Sequence, residues 1–552
     1  MPQSDVTPAG GPIGALMRWL DRTFIGLCRE FRWSYLPPLM VYVAAGVQGL
    51  TAIVGTFFVK DYLGLSAEFL AALGFWLTLP WALKMPVGHL VDLIWRYKSA
   101  LVYLGAGLIA CSLLIMTGLL TDIESMRRTM PAEAWFVLSA LLAPIGYMLQ
   151  DVVADAMTVE AVPRVDERGQ PVSEAERKLG NVTMQTLGRV AIIGGTVLVS
   201  LVNLYVFDDV KTMSAEDKRL TYAFVYQLAL VIPLISVLGV LLARTLQNAE
   251  RRRLQGLGLT QNQIDQALHV RTEAPKVNWW ILGGSAVFVA FSVTMGLKEV
   301  KYGQEIIFVG SMAIILFLMS KLLRELDTTA RNTLIGTAFL IFVYRALPGV
   351  GPGASWWQID VLKFDEQFFS VLSLISTTLT LIGLFLFRRF MAEKSIAFVI
   401  GFLTLVLTLL SLPMLGMVYG LHEWTAARTG GVVDARFIAV VNETLESPFG
   451  QIAMVPMLAW IAHSAPDKLK ATYFAVMASF TNLALALSQL GTKWLNQFYT
   501  ITREVKDAAT GAVKVAANYS DLGPLVITAI VLGFCVPFAA ILITRTTRLR
   551  SA

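Results

Sequence analysis

Long apolar runs, each bounded by a short polar stretch, follow one another along almost the whole chain. Each run is close to the roughly 20 residues that an α-helix needs to cross a bilayer. The pattern predicts fourteen spans, at about 39–59, 69–94, 99–120, 133–162, 180–205, 221–243, 279–297, 304–323, 331–348, 366–390, 395–418, 435–462, 470–498 and 522–544. We therefore expect an all-α polytopic membrane protein.

Loops of the second half of the chain resemble loops of the first half at a nearly constant separation. Segments 58–69, 96–99 and 174–179 resemble segments 358–368, 392–395 and 465–469, at separations of 299, 296 and 290 residues. A constant offset indicates a duplicated unit, and two parallel six-helix halves are the plan of the major facilitator fold. We predict a first half at 39–243, a cytoplasmic loop at 244–278, two inserted helices at 279–323 and a second half at 331–545.

Basic residues set the predicted orientation. With the N terminus inside, most of the 45 lysines and arginines fall in inside segments, which is the usual bias of cytoplasmic loops. We expect an inner-membrane protein with both termini in the cytoplasm, including the tail at 546–552. The lead-in at 1–38 has no cleavable signal peptide; its residues 13–31 are interpreted as a helix on the membrane surface or as a basic approach to the first span. In the loop, Thr260 and Gln263 predict a helix start.

Composition narrows the class of function. The chain of 552 residues is 56% hydrophobic and 15% charged, with a mean hydropathy of +0.63, which excludes an ordinary soluble protein. The net charge of +6 is assigned to cytoplasmic loops, so we expect no nucleic-acid partner. Three cysteines and four histidines show no metal-ligand spacing, and no nucleotide fingerprint or catalytic triad stands out. We expect a protein that is not an enzyme and that has no metal or cofactor.

The fourth predicted span carries three carboxylates and no basic residue. Asp151 and Asp155 are four positions apart and share one helix face, whereas Glu160 points elsewhere. A carboxylate at bilayer depth costs a few kcal/mol unless it meets water, a cation or a substrate. Two interpretations stay open: a proton- or cation-binding pair that faces a polar cavity, or a packing ion pair. Arg189, at a similar depth in the fifth span, is a candidate partner of Asp151, which would leave the other carboxylate free to bind a proton.

The second predicted span carries a lysine between two prolines. Pro80 and Pro86 interrupt helical hydrogen bonding, which is tolerated where the backbone lines a cavity. Lys84 lies roughly 16 Å from the cytoplasmic end at 1.5 Å per residue, so simple snorkelling is disfavoured. It is expected to attract an anion or to pair with a carboxylate. Trp81 and Tyr147 neighbour these charges and are candidates for stacking on a flat ligand.

The loop after the second span predicts a gate at the cytoplasmic mouth. Gly88 predicts a close helix crossing, and Asp92 followed by Arg96 predicts a charge latch that stabilises one state of an alternating-access cycle. Glu160, near the inner end of the fourth span, is grouped with this gate. The alternative is loop charge that only fixes topology.

The second half has its own charged residues. Glu443 and Glu446 occupy the position that corresponds to the Asp151 stretch, and we count them as further proton-coupling candidates. Arg345 lies near the outer end of the predicted span at 331–348. It is expected to pair with Glu443 or to bind an anion. Lys493 is a weaker candidate near the outer end of its span.

Three stretches together resemble the folate–biopterin transporter family of the major facilitator superfamily. One is Leu79-Pro80-Trp81 with the residues Lys84, Pro86, Gly88 and Asp92; the second runs from Gln150 to Glu160; the third joins the Arg345-Ala346-Leu347-Pro348 motif to segment 364–368. The resemblance implies proton-coupled or exchange transport of pterins or reduced folates. It also implies that Lys84, Asp92, Asp151, Asp155 and Arg345 contribute to transport.

The expected function is therefore secondary active transport of an amphipathic organic anion, folate or pterin, coupled to protons by alternating access. Lys84, Trp81, Tyr147, Arg189 and Arg345 are the expected substrate-binding residues. Two alternatives remain: a muropeptide or peptide-like permease, and a non-transporting membrane sensor or cofactor-assembly protein that docks a partner on the 244–278 loop.

Overall fold

A computed structural model describes residues 31–547 and 549, except 64, 83, 211, 269–276, 278, 298–299, 325–327, 388–389, 391–393, 450–469 and 507–512. Most of the predicted surface helix at 13–31, and the end of the predicted span at 435–462, lie outside the described residues. The helices of the first half are α1 (Leu36–Gly46), α2 (Ala52–Tyr62), α3 (Ala67–Ala82), α4 (Lys84–Leu93), α5 (Ser99–Thr121), α6 (Ile123–Thr129), α7 (Ala132–Ala161), α8 (Glu174–Val206), α9 (Ala215–Ala229) and α10 (Val231–Gly256).

The rest of the chain is also helical apart from one small hairpin. It contains α11 (Gln261–Ala267), α12 (Trp279–Leu297), α13 (Gly303–Leu323), α14 (Thr328–Arg345), α15 (Gly353–Asp360), α16 (Glu366–Leu386), α17 (Ile396–Val418), α18 (Leu421–Arg428), α19 (Ala435–Glu446), α20 (Lys470–Phe498) and α21 (Leu522–Thr546). Strands β1 (Val505–Lys506) and β2 (Val513–Val515) pair antiparallel before α21. The all-helical membrane fold is confirmed, and the hairpin is the addition that apolar periodicity did not predict.

Nine helical stretches in the described part of the chain are long and apolar enough to cross a membrane. They are Trp33–Lys60, Ala67–Leu93, Ser99–Thr121, Ala132–Ala161, Thr186–Val206, Ala215–Gly256, Glu366–Gly383, Ile396–Val418 and Leu522–Thr546. Two shorter apolar helices, Leu282–Ser292 and Gly303–Phe317, lie in the predicted insertion. The protein is therefore a multi-pass membrane protein, and the count of fourteen spans and the domain boundaries stay predictions.

Local sequence signals explain several helix ends. Ser173 and Glu176 form a capping box at the start of α8. Thr260 and Gln263 form the same motif at the start of α11, as the sequence predicted. The second predicted span is described as α3 and α4, which together run from Ala67 to Leu93 on either side of residue 83.

The two inserted helices do not stand apart from the rest of the molecule. Ile307 and Ile315 of α13 belong to one apolar cluster with Phe75 of α3 and Phe480 of α20. At the start of α13, Gln304 donates to the carbonyl of Ala72 (2.9 Å). The insertion therefore packs against α3 from the first half and α20 from the second.

Candidate functional site

Lys84 is the centre of a charge cluster between α4 and α7. Its Nζ lies 2.5 Å from Oδ2 of Asp151 and 2.7 Å from Oδ2 of Asp155. One ammonium group reaches both carboxylates because residues four apart on a helix are stacked on one face. The prediction that Asp151 and Asp155 share a face agrees with this geometry. Of the two alternatives for Lys84, pairing with a carboxylate is the one this structure contains.

The two carboxylates differ in exposure and in their other partners. The side chain of Asp151 is 17% exposed, whereas that of Asp155 is 48% exposed. Oδ1 of Asp155 accepts a hydrogen bond from the hydroxyl of Tyr42 on α1 (2.7 Å). Tyr42 was not predicted, because a tyrosine within the first apolar run carries no signal of its own. Asp155 is the carboxylate that water reaches more easily.

The expected ion pair between Arg189 and Asp151 is not formed among the described residues, where Lys84 takes that place. The helix that carries Lys84 packs against α7, so its ammonium group reaches Asp151. Arg189 on α8 has an exposed side chain and lies near enough to interact electrostatically with Asp151 and Tyr42. A cation without a carboxylate partner in the described part of the chain therefore borders the cluster.

The two aromatic candidates have different environments. Trp81 is partly buried, and its carbonyl accepts a hydrogen bond from Nδ2 of Asn482 on α20 (3.1 Å), which joins the two halves. Tyr147 is 8% exposed and belongs to an apolar cluster with Ile109 and Leu113. Of these two aromatic residues, Trp81 is the more accessible to a ligand beside the charges in this conformation.

The predicted gate residues are arranged differently from the expectation. Glu160 pairs with Lys98 (2.7 Å). Because both residues belong to the first half, this pair joins α7 to the start of α5 within that half. Arg96 is exposed and Asp92 is partly buried in the last turn of α4. A Cβ placed on Gly88 would meet no described heavy atom within 4 Å, so the predicted close crossing is absent here.

The halves also meet at the opposite end, which we call the far-side seam: contacts of residues 60–74 and 200–222 with residues 358–373 and 489–497. Lys60 pairs with Asp360 (2.6 Å), and Asp360 also accepts a hydrogen bond from Tyr519. Further links across the seam are Ser200 with Ser373 (2.8 Å), Gln367 to Asp208 (3.0 Å), Gln497 to Glu68 (2.7 Å) and Tyr222 to Glu366. The sequence signal for this seam was the charge in segments 58–69 and 358–368.

The candidate residues Arg345, Glu443 and Glu446 form no ion pair with one another among the described residues. Glu443 accepts a hydrogen bond from Ser447 (3.0 Å), and Glu446 accepts one from Asn442 (3.2 Å). No ion pair within 4 Å links Arg345 to either glutamate within the described ranges, so its expected pairing with Glu443 does not form here. Nε of Arg345 is buried and makes no hydrogen bond to the described residues. Arg345 therefore keeps its capacity to bind an anion.

Lys493 ties the insertion to the second half. Its Nζ lies 2.8 Å from Oε1 of Glu305 at the start of α13, and the indole of Trp494 donates to the same oxygen (3.0 Å). Gln304 accepts from Lys493 (3.3 Å). The weak sequence candidate is thus a structural contact of the inserted helix.

Comparisons with known proteins agree with this architecture. The model of the BT1 family matches residues 262–549. A folate-biopterin transporter of Synechocystis sp. (strain ATCC 27184 / PCC 6803 / Kazusa) is 23% identical over 505 residues, which cover 89% of this chain and 80% of that protein.

Solved transporter structures share the fold. A POT family transporter in complex with 5-aminolevulinic acid has a TM-score of 0.59 at 14% identity, covering 93% of this chain and 95% of that one. The nucleoside transporter NupG has a TM-score of 0.53 at 11% identity, covering 92% and 99%. At such identities these likenesses speak for the fold alone.

Proposed function

The chain belongs to the BT1 family and is a membrane transporter, and from that premise we propose that it moves a folate- or pterin-like organic anion together with protons. The observation that supports this most directly is the cluster of Lys84, Asp151 and Asp155 with Arg189 beside it. Two cations and two carboxylates have no net charge. Protonation of one carboxylate leaves one positive charge in excess, which attracts an anion.

Charge balance gives a physical basis for coupling. A bound proton strengthens binding of the anion, and by reciprocity the anion strengthens binding of the proton. Asp155 is our candidate for the proton-binding group, since it is the more exposed carboxylate and Asp151 still holds Lys84 when Asp155 is neutral. Glu443 and Glu446 are the next candidates.

The proposed substrate contacts come from both halves. Arg189 and Lys84 from the first half and Arg345 from the second supply positive charge for a carboxylate tail. The partly buried ring of Trp81 offers an apolar face for a flat heteroaromatic group. The curated relative is a folate-biopterin transporter, and this similarity favours a pterin ring over other flat anions.

The arrangement of the seams supports alternating access. The far-side seam is closed by ion pairs and hydrogen bonds, whereas a Cβ on Gly88 would meet no described heavy atom within 4 Å. With the predicted cytoplasmic N terminus, the far side is the outer side, so this conformation is closed to the outside. We propose that the outward-facing state closes at Gly88, where the lack of a side chain permits a close helix crossing, and that Asp92 and Arg96 stabilise it from the cytoplasmic side of the inner membrane.

The test is uptake of labelled folate and pterin into proteoliposomes with and without an inward proton gradient. We expect gradient-driven uptake by the wild type, loss of the gradient effect in Asp155→Asn, and substrate exchange that survives in the variant. Glu124→Gln is the matched control, because this carboxylate is 79% exposed and lies outside the cluster.

Other results would change specific parts of the proposal. A full gradient effect in Asp155→Asn would move coupling to Glu443 or Glu446. Wild-type uptake of muropeptide that folate does not inhibit would identify a peptide-like permease. Absence of flux for all of these, together with a stable partner captured on the 244–278 loop, would indicate a sensor or assembly protein.

A further inference from the structure

Glu366 is an enclosed carboxylate at the far-side seam. It is the first residue of α16 and is 1% exposed. Its Oε1 accepts a hydrogen bond from the hydroxyl of Tyr222, on α9 of the other half. Among the described residues, the cation that pairs with it is Lys218, one turn before Tyr222 on α9, at 3.8 Å and with a side chain that is 34% exposed. The carboxylate therefore touches the opposite half through one neutral donor and one loosely held cation.

In the described part of the chain, several other charges near the start of α16 have partners of their own. Lys60 of α2 pairs with Asp360 (2.6 Å), and Arg436 of α19 pairs with Asp365 (2.8 Å). Asp208, which follows α8, accepts a hydrogen bond from Gln367. From α9, Lys218 and Tyr222 face the carboxylate. In the described part of the chain, the ion pair of Glu366 (3.8 Å) is longer than those of its neighbours Asp360 (2.6 Å) and Asp365 (2.8 Å).

Because Glu366 is buried, its protonation state affects the strength of its contacts across the seam. An ionised carboxylate removed from water costs several kcal/mol unless a cation and hydrogen bonds compensate for it. A hydrogen bond to an ionised acceptor is about twice as strong as one between neutral groups. Gaining a proton removes both the attraction to Lys218 and the charge assistance of the Tyr222 contact, and both of these cross the seam.

We propose that Glu366 is a second proton-binding site, which latches the far-side seam when ionised and releases it when protonated. This inference rests on the proposed alternating-access function. The proton is supplied from the far side and binds to the Glu366 carboxylate, and Tyr222 and Lys218 keep their own protons throughout. The far side then opens before substrate arrives, and the cluster at Lys84 accepts its proton in the opened state.

The experiment measures seam opening without any substrate. Spin labels are attached at Thr212→Cys and Val432→Cys, which are exposed positions in far-side loops of the two halves. Cys28, Cys111 and Cys535 are replaced by serine. Pulsed electron paramagnetic resonance then gives the distance distribution of the full-length protein in lipid nanodiscs, from neutral pH down to about pH 4, where carboxyl groups titrate.

We expect a short-distance population at neutral pH that gives way to a longer one as the pH falls. Glu366→Gln is expected to raise the ratio of long to short distances at neutral pH by about tenfold, the effect of losing one charge-assisted contact, and to flatten the pH response. Tyr222→Phe keeps the charge and should give a smaller shift in the same direction. Glu68→Gln is the matched control, because Glu68 also links the halves but is exposed, and it should behave like the wild type.

The outcome separates this inference from the proposed function. A pH response that persists in Glu366→Gln, with Tyr222→Phe also unchanged, would overturn the latch. Because no substrate is present, that result leaves the uptake assay and its Asp155→Asn variant to decide coupled transport independently. If Glu366→Gln flattens the pH response but the wild type takes up no folate, the latch is supported and folate is rejected as the substrate.

Discussion

Nζ of Lys84 lies 2.5 Å from Oδ2 of Asp151, so a lysine within one span is bound to a carboxylate in the middle of another. The same Nζ reaches Asp155, whose carboxylate also holds Tyr42. Three helices, α1, α4 and α7, therefore converge on one ammonium group. The stability of this cluster and its capacity to bind an anion both depend on the charge of that group.

Replacement of Lys84 by methionine is expected to destabilise the protein. It leaves two adjacent carboxylates without their cation, and breaking a buried ion pair costs about 3–5 kcal/mol. We expect the free energy of unfolding to fall by an amount near the lower value, since Asp155 is half exposed. Thermal unfolding followed by tryptophan fluorescence checks this. The double variant Lys84→Met with Asp151→Asn should recover part of the lost stability. Lys84→Arg should be nearly as stable as the wild type. Equal losses in the single and double variants would contradict the electrostatic account.

Replacement of Arg189 by glutamine should affect substrate affinity and leave stability unchanged. The exposed guanidinium is free to bind an anion, and a charged hydrogen bond is worth about 1.5–3 kcal/mol, or roughly a 10- to 100-fold rise in KM. The melting temperature should stay constant, because exposed side chains contribute little to the free energy of unfolding. Uptake kinetics provide the measurement. Arg128→Gln, at another exposed arginine, is the control; an unchanged KM for Arg189→Gln would remove Arg189 from the substrate site.

The pair of Glu305 and Lys493 should hold the inserted helix α13 on α20. Both side chains are largely buried, at 18% and 13% exposure. We expect Glu305→Gln to lower the free energy of unfolding by about 1–3 kcal/mol, as for a broken hydrogen bond to a charged group. The emission of Trp494, whose indole bonds to the same carboxylate, should change as well. A variant that keeps both the wild-type stability and the wild-type emission would show that apolar packing alone docks the insertion.

The seam should weaken in alkaline solution through Tyr519. Burial, reinforced by the hydrogen bond to the Asp360 carboxylate, raises the pKa of Tyr519 above its ordinary value of 10.0. A raised pKa in the folded state means that the neutral tyrosine stabilises the fold, and this contribution is lost as the pH rises above about 10 toward the folded-state value. Tyrosinate absorbance and thermal unfolding measure the effect. Tyr519→Phe should remove this part of the alkaline dependence.

Several elements were predictable because their causes are local. The apolar runs predicted the membrane helices, and Thr260 with Gln263 predicted the start of α11, since a capping box needs only neighbouring residues. The four-residue spacing of Asp151 and Asp155 predicted a shared face for the same reason. The sequence left two candidate partners for these carboxylates, Lys84 and Arg189, because two basic residues at similar depth are indistinguishable in sequence; the structure has Lys84 in contact with both.

The sequence by itself determined the membrane class, the family and the charged residues that the bilayer makes costly, because hydropathy, spacing and motif are properties of short segments. Only the tertiary structure decided that Lys84 binds both aspartates, that Glu160 pairs with Lys98 within one half, and that Lys60 and Asp360 join the halves at the far side. Those choices depend on where helices cross. Helix crossings are set by packing among residues hundreds of positions apart, and no short segment contains that information.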